Sequence, residues 1–479
     1  ESKRQLYDEV VSMAGIPGIG SGIDINSIVG ALVNAEKAPK EAQLARLEKA
    51  STTKFSALGT LKGALSEFQT AMKDLNSLAL FEKRTATSSN ATALSASAEK
   101  TALAGTYQLA VKQLATSSRV ATGAIASAYT APADGQLTVK LGAADTAGVS
   151  VDIAAGDTLE QIRDKLNTTL KDKGISANIV NNPADGTSRL VLNAKDTGAG
   201  KDIVVTADVG LEAYAVDGAV KAGASSAGYL GEPAQSAIFS IDGLEQTSAT
   251  NSLKDVIPGV TFNLLSKTDT DKPLTLTVGE DKAGVTASIK KFVDAYNKLI
   301  KTSSQLTSVT QVGEGKAPVV GGLVGDATVR TLLSGVRNEL VNPADQEGIR
   351  VLADLGITTQ KDGTLKIDDA KLGTAITDNF NALGTFFTGD NGLMSRVDKR
   401  IDGYIQTGGV LEQRMKGIQT TLTDIDKQKE TLTRRVSQIQ ARLFAQFNAM
   451  DALVGNLNAT SDRLAQALGS LPGVVKQSN

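Results

Sequence analysis

The sequence predicts an α+β protein of several domains. Long heptad helices from the two ends of the chain pair into a coiled-coil leg, and two nested β-rich domains lie between them. Three observations predict this class: apolar residues recur every three or four positions near both ends, short β-type runs fill the middle, and Gly, Asp and Asn turns separate those runs. The 479 residues, 41% of them hydrophobic, are enough for about two to four domains.

The first helical segment carries an apolar seam between residues 44 and 75. Steps alternating three and four from Leu44 meet eight apolar residues in ten positions. A 3.5-residue period sustained over this length indicates a helix that supercoils around a partner. The residues expected on this seam are Leu58, Leu61, Leu65, Phe68 and Met72.

A second and longer seam begins at Leu411, where the same steps meet twelve apolar residues in fourteen positions. Its expected pairing residues are Leu422, Ile425, Leu432, Val436, Ile439 and Leu443. Neither seam is stable when exposed to water, so we predict that the two helices pair and bring both chain ends together. Lys429 and Gln446 also fall on the seam, where they either set the register or mark the start of another partner. Long heptads also occur in ordinary bundles, so a structural stalk and an assembly surface are both open interpretations.

The middle of the chain reads as short strands separated by turns. The runs are 105–111, 137–141, 149–153, 175–180, 188–193, 202–206, 237–241, 260–265 and 274–278. Asp242-Gly243 is a hairpin signal, and Asp157 is expected to cap a helix that ends near Gly174. The Ala-, Gly- and Ser-rich stretch 212–236 is interpreted as a linker that returns the chain from an inserted domain.

After Gly284 the pattern becomes helical again, with one helix expected over Leu323–Leu340. The resulting domain limits are an added extension at 1–12, mobile helical tails at 13–50 and 440–479, a helical leg at 51–90 and 285–439, a β-rich domain at 91–117 and 230–284, and an inserted β-rich domain with one helix at 118–229.

The composition excludes several classes of chemistry. The chain has no Cys, His or Trp, so thiolate, disulfide and imidazole chemistry is excluded, and we expect no enzyme activity, metal or other cofactor. A net charge of −2 with interspersed signs predicts no nucleic-acid partner. There is no apolar run long enough for membrane insertion, and the start of the sequence resembles no cleaved secretory signal.

Three short motifs in the sequence match no catalytic or metal-binding pattern. The glycines of GIGSG at 18–22 lack the strand that a dinucleotide loop requires, so they indicate flexible backbone. Asp269 and Asp271 lack the spacing of a calcium loop and are interpreted as a solvated turn. Asp368-Asp369 is typical of a helix first turn.

Five segments, taken in order, carry a resemblance to a known family. They are GIGSGIDINSIVGALVNAEKAP (18–39), GTYQLAVKQLA (105–115), SIDGLEQTSATNSLKDVIPGVTFNLL (240–265), LADLGITTQKDGTLKIDDAKL (352–372) and AQFNAMDALVGNLNATSDRLAQAL (445–468). Together they resemble the bacterial flagellar filament-cap proteins, the hook-associated protein two family. Residues 157–206 also resemble the small β module shared by flagellin and hook-associated proteins.

The resemblance implies a structural cap at the tip of the flagellar filament. It implies secretion by flagellar type III export, a ring of about five subunits, and contacts with flagellin and the hook-associated junction proteins. It also implies a cytoplasmic export chaperone on the C-terminal helix. The residues expected to contact flagellin or the chaperone are Ile19, Ile23, Ile25, Phe447, Met450, Leu453, Leu457 and Leu464.

One alternative of a different class stays open at this point. The β domains are also compatible with a surface adhesin that binds a host glycan or mucin. Both functions fit a β-rich middle, but only the cap explains heptads at both termini.

Overall fold

The structure is a computed structural model that describes residues 22, 24–269, 272–311, 313 and 315–470. In this part of the chain the helices are α1 (Ile25–Leu75), α2 (Leu78–Glu82), α3 (Leu159–Leu170), α4 (Lys282–Thr307), α5 (Ala327–Val341), α6 (Asp369–Asp378), α7 (Phe380–Phe387), α8 (Leu393–Ile405) and α9 (Val410–Gly469). The two longest are α1, with 51 residues, and α9, with 60.

The strands are short and most of them lie between α2 and α4. They are β1 (Arg84–Ser88), β2 (Leu94–Ala98), β3 (Gly105–Gln113), β4 (Ser117–Ala121), β5 (Ile125–Ala126), β6 (Gly135–Leu141), β7 (Val149–Ile153), β8 (Ile175–Asn182), β9 (Thr187–Thr197), β10 (Ile203–Ala207), β11 (Gly228–Tyr229), β12 (Ala237–Ile241), β13 (Leu244–Ser248), β14 (Ser252–Ile257), β15 (Val260–Leu264), β16 (Leu274–Glu280), β17 (Val309–Thr310), β18 (Val319–Val320), β19 (Ile357–Thr359) and β20 (Leu365–Ile367).

The chain divides into two compact units. One is the β-rich unit, Leu78–Val285, and the other is the helical unit, made of the described residues up to Ser77 and from Thr286 onward. The helical unit therefore contains both long helices, and the β-rich unit is inserted between them in the sequence.

An aromatic cluster lies at the centre of the helical unit. Phe68 of α1 is fully buried, with its ring centroid 5.5 Å from that of Phe292 and 5.8 Å from that of Tyr296, both on α4. The Tyr296 hydroxyl donates to the carbonyl of Gly363, and Asn297 bonds the backbone of Leu365, which holds the β19–β20 hairpin against α4. These contacts join segments that are distant in the sequence into one core.

In the β-rich unit, one core lies between an antiparallel sheet of order β1-β16-β3-β12-β13 and a second of order β14-β15-β2. Phe239 and Phe262 meet edge-on at its centre, with ring centroids 6.1 Å apart. The expected hairpin at Asp242-Gly243 is present, and both residues have positive φ, as a two-residue hairpin turn requires.

A second core in the β-rich unit combines α3 with two sheets, β10-β6-β7 and β11-β4-β9-β5, in which β8 also pairs with β9. The cap of α3 differs from the expectation. Thr158, not Asp157, is the N-cap, and it forms a capping box with Gln161. The Asp157 carboxylate instead accepts from the Ala154 amide and from Lys165, because it closes the turn that precedes the helix.

The prediction of a linker over 212–236 was wrong. Tyr214 and Val216 are buried in the second core, and Val216 bridges to Val205 of β10. β11, which lies within this stretch, pairs with β4. Parts of the stretch are therefore built into the domain, because Tyr214 and Val216 enter its core although the small residues 223–226 between them and Tyr229 are exposed.

The two ends of the β-rich unit are joined by one strand pair. β1 and β16 run antiparallel with Arg84 opposite Glu280, and their side chains also form an ion pair. Just outside this register, Lys83 bonds the Asp281 carboxylate at 2.8 Å. The chain therefore leaves this unit next to the point at which it entered.

The predicted fold class is confirmed: helices and sheets are both present in a chain of more than one unit, and a long helix, α9, lies in its C-terminal part. Within this class, the helix expected over Leu323–Leu340 is shorter, since α5 begins at Ala327 behind the N-cap Asp326. The N-terminal helix is longer than its seam, because α1 runs through Pro39 as far as Ile25.

Replacing Phe68 by Ala is expected to lower the free energy of unfolding of the helical unit by about 3–5 kcal/mol, because it leaves a cavity between α1 and α4. Urea unfolding followed by helical circular dichroism measures this change. Leu47→Ala on the same helix is the matched control, since Leu47 is 48% exposed and its loss should cost less than about 1 kcal/mol. Equal effects of the two substitutions would contradict the placement of the core.

Candidate assembly interface

The two longest helices form an antiparallel pair. Residue numbers fall along α9 as they rise along α1, as three interhelical ion pairs record: Glu36 with Arg435, Glu48 with Lys429, and Lys62 with Glu412. The Glu48 carboxylate lies 2.5 Å from the Lys429 ammonium. Lys429, one of the two polar interruptions of the seam, thus lies against an acidic partner on α1.

The pair is buried to different depths along its length. On α1 the predicted seam residues Leu58, Leu61, Leu65, Phe68 and Met72 are all buried. On α9 only Leu411 and Ile425 are fully buried among the described residues. The half-buried seam residues of α9 are Leu422, Leu432, Val436, Ile439 and Leu443.

A separate apolar cluster closes the far end of the pair. Its buried members are Ile25, Val29 and Val33 of α1. The side chains of α9 that pack against them are Val436, Ile439, Leu443, Phe444 and Phe447. We call this group the terminal cluster. It lies where α1 begins, behind Asp24, whose carboxylate accepts from the Ser27 amide as the helix N-cap.

Beyond the terminal cluster the apolar face of α9 continues without cover from α1. Met450, Leu453, Leu457, Leu464 and Leu468 are 47–61% exposed and recur at steps of three, four and seven residues. We call these five residues the exposed stripe. Because helical positions at this spacing share one face, they form a row about 27 Å long that suits another amphipathic helix.

The predicted contact residues therefore fall into different environments. Met450, Leu453, Leu457 and Leu464 belong to the exposed stripe, whereas Ile25 is buried and Phe447 is half-buried in the terminal cluster. Ile19 and Ile23 lie outside the described residues.

Sequence reasoning missed Val29, Val33 and Phe444. Ile25, Val29 and Val33 stand at steps of four, which is a helical signal. The seam predicted from the sequence begins at Leu44 and leaves these residues out. The structure carries α1 through Pro39, so the seam includes these three residues.

A partly buried ion pair holds the start of α9. The Arg414 guanidinium donates two hydrogen bonds to the Asp326 carboxylate, at 3.0 and 2.5 Å, and Asp326 also caps α5 through the amides of Thr328 and Val329. The Arg414 hydrogen bonds are the main cause that lowers the pKa of Asp326 below its ordinary value of 3.8. One carboxylate thus joins α9 to the first turn of α5.

In the portion of the chain that the structure describes, no group of three or more acidic side chains is arranged to hold a metal ion. None of the helices in the described ranges is long and apolar enough to cross a membrane. The surface that stands out is instead the exposed stripe, which offers apolar area for protein contact.

Comparison with protein families matches most of the chain. Residues 21–118 match the N-terminal region of flagellar hook-associated protein 2, and residues 234–459 match its C-terminal region. Between them, residues 136–196 match the flagellin hook IN motif. The chain belongs to the flagellar hook-associated protein 2 family. The resemblance of the five ordered segments is thereby confirmed.

Individual relatives extend over nearly the full length. The A-type flagellar hook-associated protein 2 of Pseudomonas aeruginosa is 54% identical over 475 residues, covering 97% of this chain and 99% of that protein. The corresponding Escherichia coli K12 protein is 32% identical, covering 94% and 97%. The crystal structure of the flagellar cap protein FliD D1-D2-D3 domains from Escherichia coli is 30% identical, has a TM-score of 0.55, and covers 76% of this chain and 99% of that one.

The function that follows is structural: the chain is a cap of the bacterial flagellar filament. The proteins of this family act at the flagellum, and the predicted place at the filament tip follows from the cap role. The adhesin alternative gains no support from these similarities.

Replacing Arg414 by Met is expected to lower the free energy of unfolding by about 2 kcal/mol at neutral pH, because the Asp326 carboxylate loses two charge-assisted hydrogen bonds and keeps only those from the Thr328 and Val329 amides. With its pKa lowered, ionised Asp326 stabilises the fold above about pH 4, and this contribution is lost as the pH falls through the folded-state pKa. The variant should therefore lose less stability than the wild type below about pH 4. Urea unfolding at a series of pH values measures both effects.

The matched control is Lys62→Met, which removes the cation of the more exposed pair with Glu412. Its cost should stay below about 1 kcal/mol. A wild-type stability that does not change across the acid range, or an equal cost for both variants, would refute the role of Arg414.

Proposed function

We propose that this chain assembles into a ring of about five subunits at the filament tip and promotes the insertion of flagellin beneath the ring. The observation that carries the proposal is the exposed stripe. An apolar face at heptad spacing is costly in water, and it is stabilised when another helix covers it.

The division of roles follows the domain limits expected from the sequence. The tails at 13–50 and 440–479 and the leg at 51–90 and 285–439 face flagellin and the filament. The β-rich domains at 91–117 with 230–284, and at 118–229, form the plate of the ring. Within the leg, the predicted seam residues hold α1 and α9 in register, so that the stripe is presented on a long, supported helix.

The exposed stripe has different partners at successive stages in this proposal. A cytoplasmic export chaperone covers it on the C-terminal helix before flagellar type III export. Flagellin covers it at the filament tip, next to the hook-associated junction proteins on which the filament begins. The proposed contact residues are Ile19, Ile23, Ile25, Phe447, Met450, Leu453, Leu457 and Leu464, of which the four stripe residues are accessible before any rearrangement.

The double substitution Leu453→Glu with Leu457→Glu is expected to abolish filament growth when it replaces the native protein in a flagellated strain. Two charges on the stripe would prevent an apolar helix from covering it. Because both leucines are about 60% exposed, the free energy of unfolding should change by less than about 1 kcal/mol. Filaments are counted by electron microscopy, and flagellin monomer in the medium is measured by immunoblot.

Ala452→Glu with Ala459→Glu is the matched control, since it adds the same charge to the opposite, exposed face of α9. Filaments of normal length from the stripe variant would refute the contact. The amount of the variant itself in the medium separates two failures: loss of secretion indicates the chaperone contact, and normal secretion with free flagellin indicates the contact at the tip.

A further inference from the structure

Pro39 lies inside α1, fourteen residues after the helix begins at Ile25. Proline has no amide hydrogen, so Pro39 donates no hydrogen bond to the carbonyl of Ala35, and its ring crowds that same carbonyl. Proline also disfavours helical backbone at the preceding residue, Ala38. The helix is therefore weakest at this point, although it continues to Leu75.

The packing of α1 changes at the same place. Before Pro39, the buried residues of α1 are Ile25, Val29 and Val33 in the terminal cluster. After it, the next buried residue is Leu44. None of residues 34–43, all of which the structure describes, is buried. The weak point of the backbone thus lies outside the terminal cluster, on a part of α1 where Leu44 is the one buried residue between Val33 and Ala57.

Few interactions hold the segment before Pro39 on α9. Among the described residues, the ion pair that joins this segment to α9 is Glu36 with Arg435, at 3.3 Å, and both of its side chains are more than half exposed. Such a pair contributes little to stability. On the other side of Pro39 the pair of Glu48 and Lys429, at 2.5 Å, is less exposed, and the continuous buried part of α1 begins further on, at Ala57.

We propose that residues 25–38 form a releasable cover on α9, with Pro39 as its hinge. When the cover detaches, the helix breaks at Pro39, and the rest of α1 stays on α9 through Leu44, the Glu48 ion pair and the buried residues from Ala57 onward. Release exposes the α9 side of the terminal cluster, including Val436, Leu443 and Phe447. These residues continue the exposed stripe towards the middle of α9, so the apolar face available to another helix grows from 450–468 to 436–468.

The cover acts as an internal competitor for the partner of α9. A partner helix that extends past Met450 towards Val436 must displace residues 25–38. While the cover is closed, the partner helix can contact only the exposed stripe. The release itself requires no partner, so it is measurable on the free full-length protein and stands apart from the cap assignment.

The chain has no native cysteine, so one introduced thiol reports on one site. Leu443→Cys places a thiol under the cover, and Leu457→Cys places one on the exposed stripe. The rate of alkylation by N-ethylmaleimide at each site is measured with and without Pro39→Ala. We expect Pro39→Ala to slow alkylation at position 443 by about tenfold or more, because the closed helix is stabilised. The rate at position 457 should not change.

Gly63→Ala is the matched control for helix propensity. Gly63 is exposed on the same helix, and a Cβ there meets nothing within 4 Å, so the substitution strengthens α1 outside the cover. It should leave both alkylation rates unchanged. An unchanged rate at position 443 in Pro39→Ala would overturn the proposal, as would equal slowing at both positions.

Hydrogen exchange by mass spectrometry on the cysteine-free protein gives a second measurement in case Leu443→Cys disturbs packing. A cover that opens as a unit predicts similar protection across residues 28–38 and a step to stronger protection beyond Leu44. Pro39→Ala should remove most of that step. Protection that rises gradually from Ile25 with no step would indicate simple fraying and refute the hinge.

Discussion

The antiparallel contact between α1 and α9 is the constraint on which the helical unit depends. A helix of 60 residues with an apolar face is not stable by itself, and α9 has few fully buried residues of its own. Its register is held by charge pairs spaced along the contact, and its first turns are held by Arg414 against Asp326. Because the register is fixed, the point at which α1 begins determines where α9 becomes exposed.

Much of this fold follows from local signals. The strands that alternate apolar and polar residues, the Asp242-Gly243 hairpin and the two seams are all readable in the sequence, because each depends on neighbours a few positions away. The stretch 212–236 was misread for the opposite reason. Its composition is that of a linker, but two side chains, Tyr214 and Val216, pack into a core formed by distant strands. Composition does not record such tertiary contacts.

The sequence predicts which residues of α9 share one apolar face, but it does not predict which of them are buried and which are exposed. Heptad spacing places Ile425 and Leu457 on the same seam, yet one is buried and the other is 60% exposed. The difference depends on how far α1 extends along α9. The sequence does not show this extent, because Pro39 lies within α1. Pro39 ordinarily ends a helix. Here the terminal cluster beyond it keeps the backbone helical, which only the packed structure shows.

The pairing of β1 with β16 allows the segment between them to change in length and content. Since the polypeptide re-emerges beside its own point of departure, everything between Arg84 and Glu280 behaves as a cassette. Lengthening or exchanging its contents alters neither the spacing nor the direction of the flanking segments, and closing a longer loop costs little entropy. Residues inside the cassette can thus be inserted, lost or replaced without a matching change in the helices before and after it.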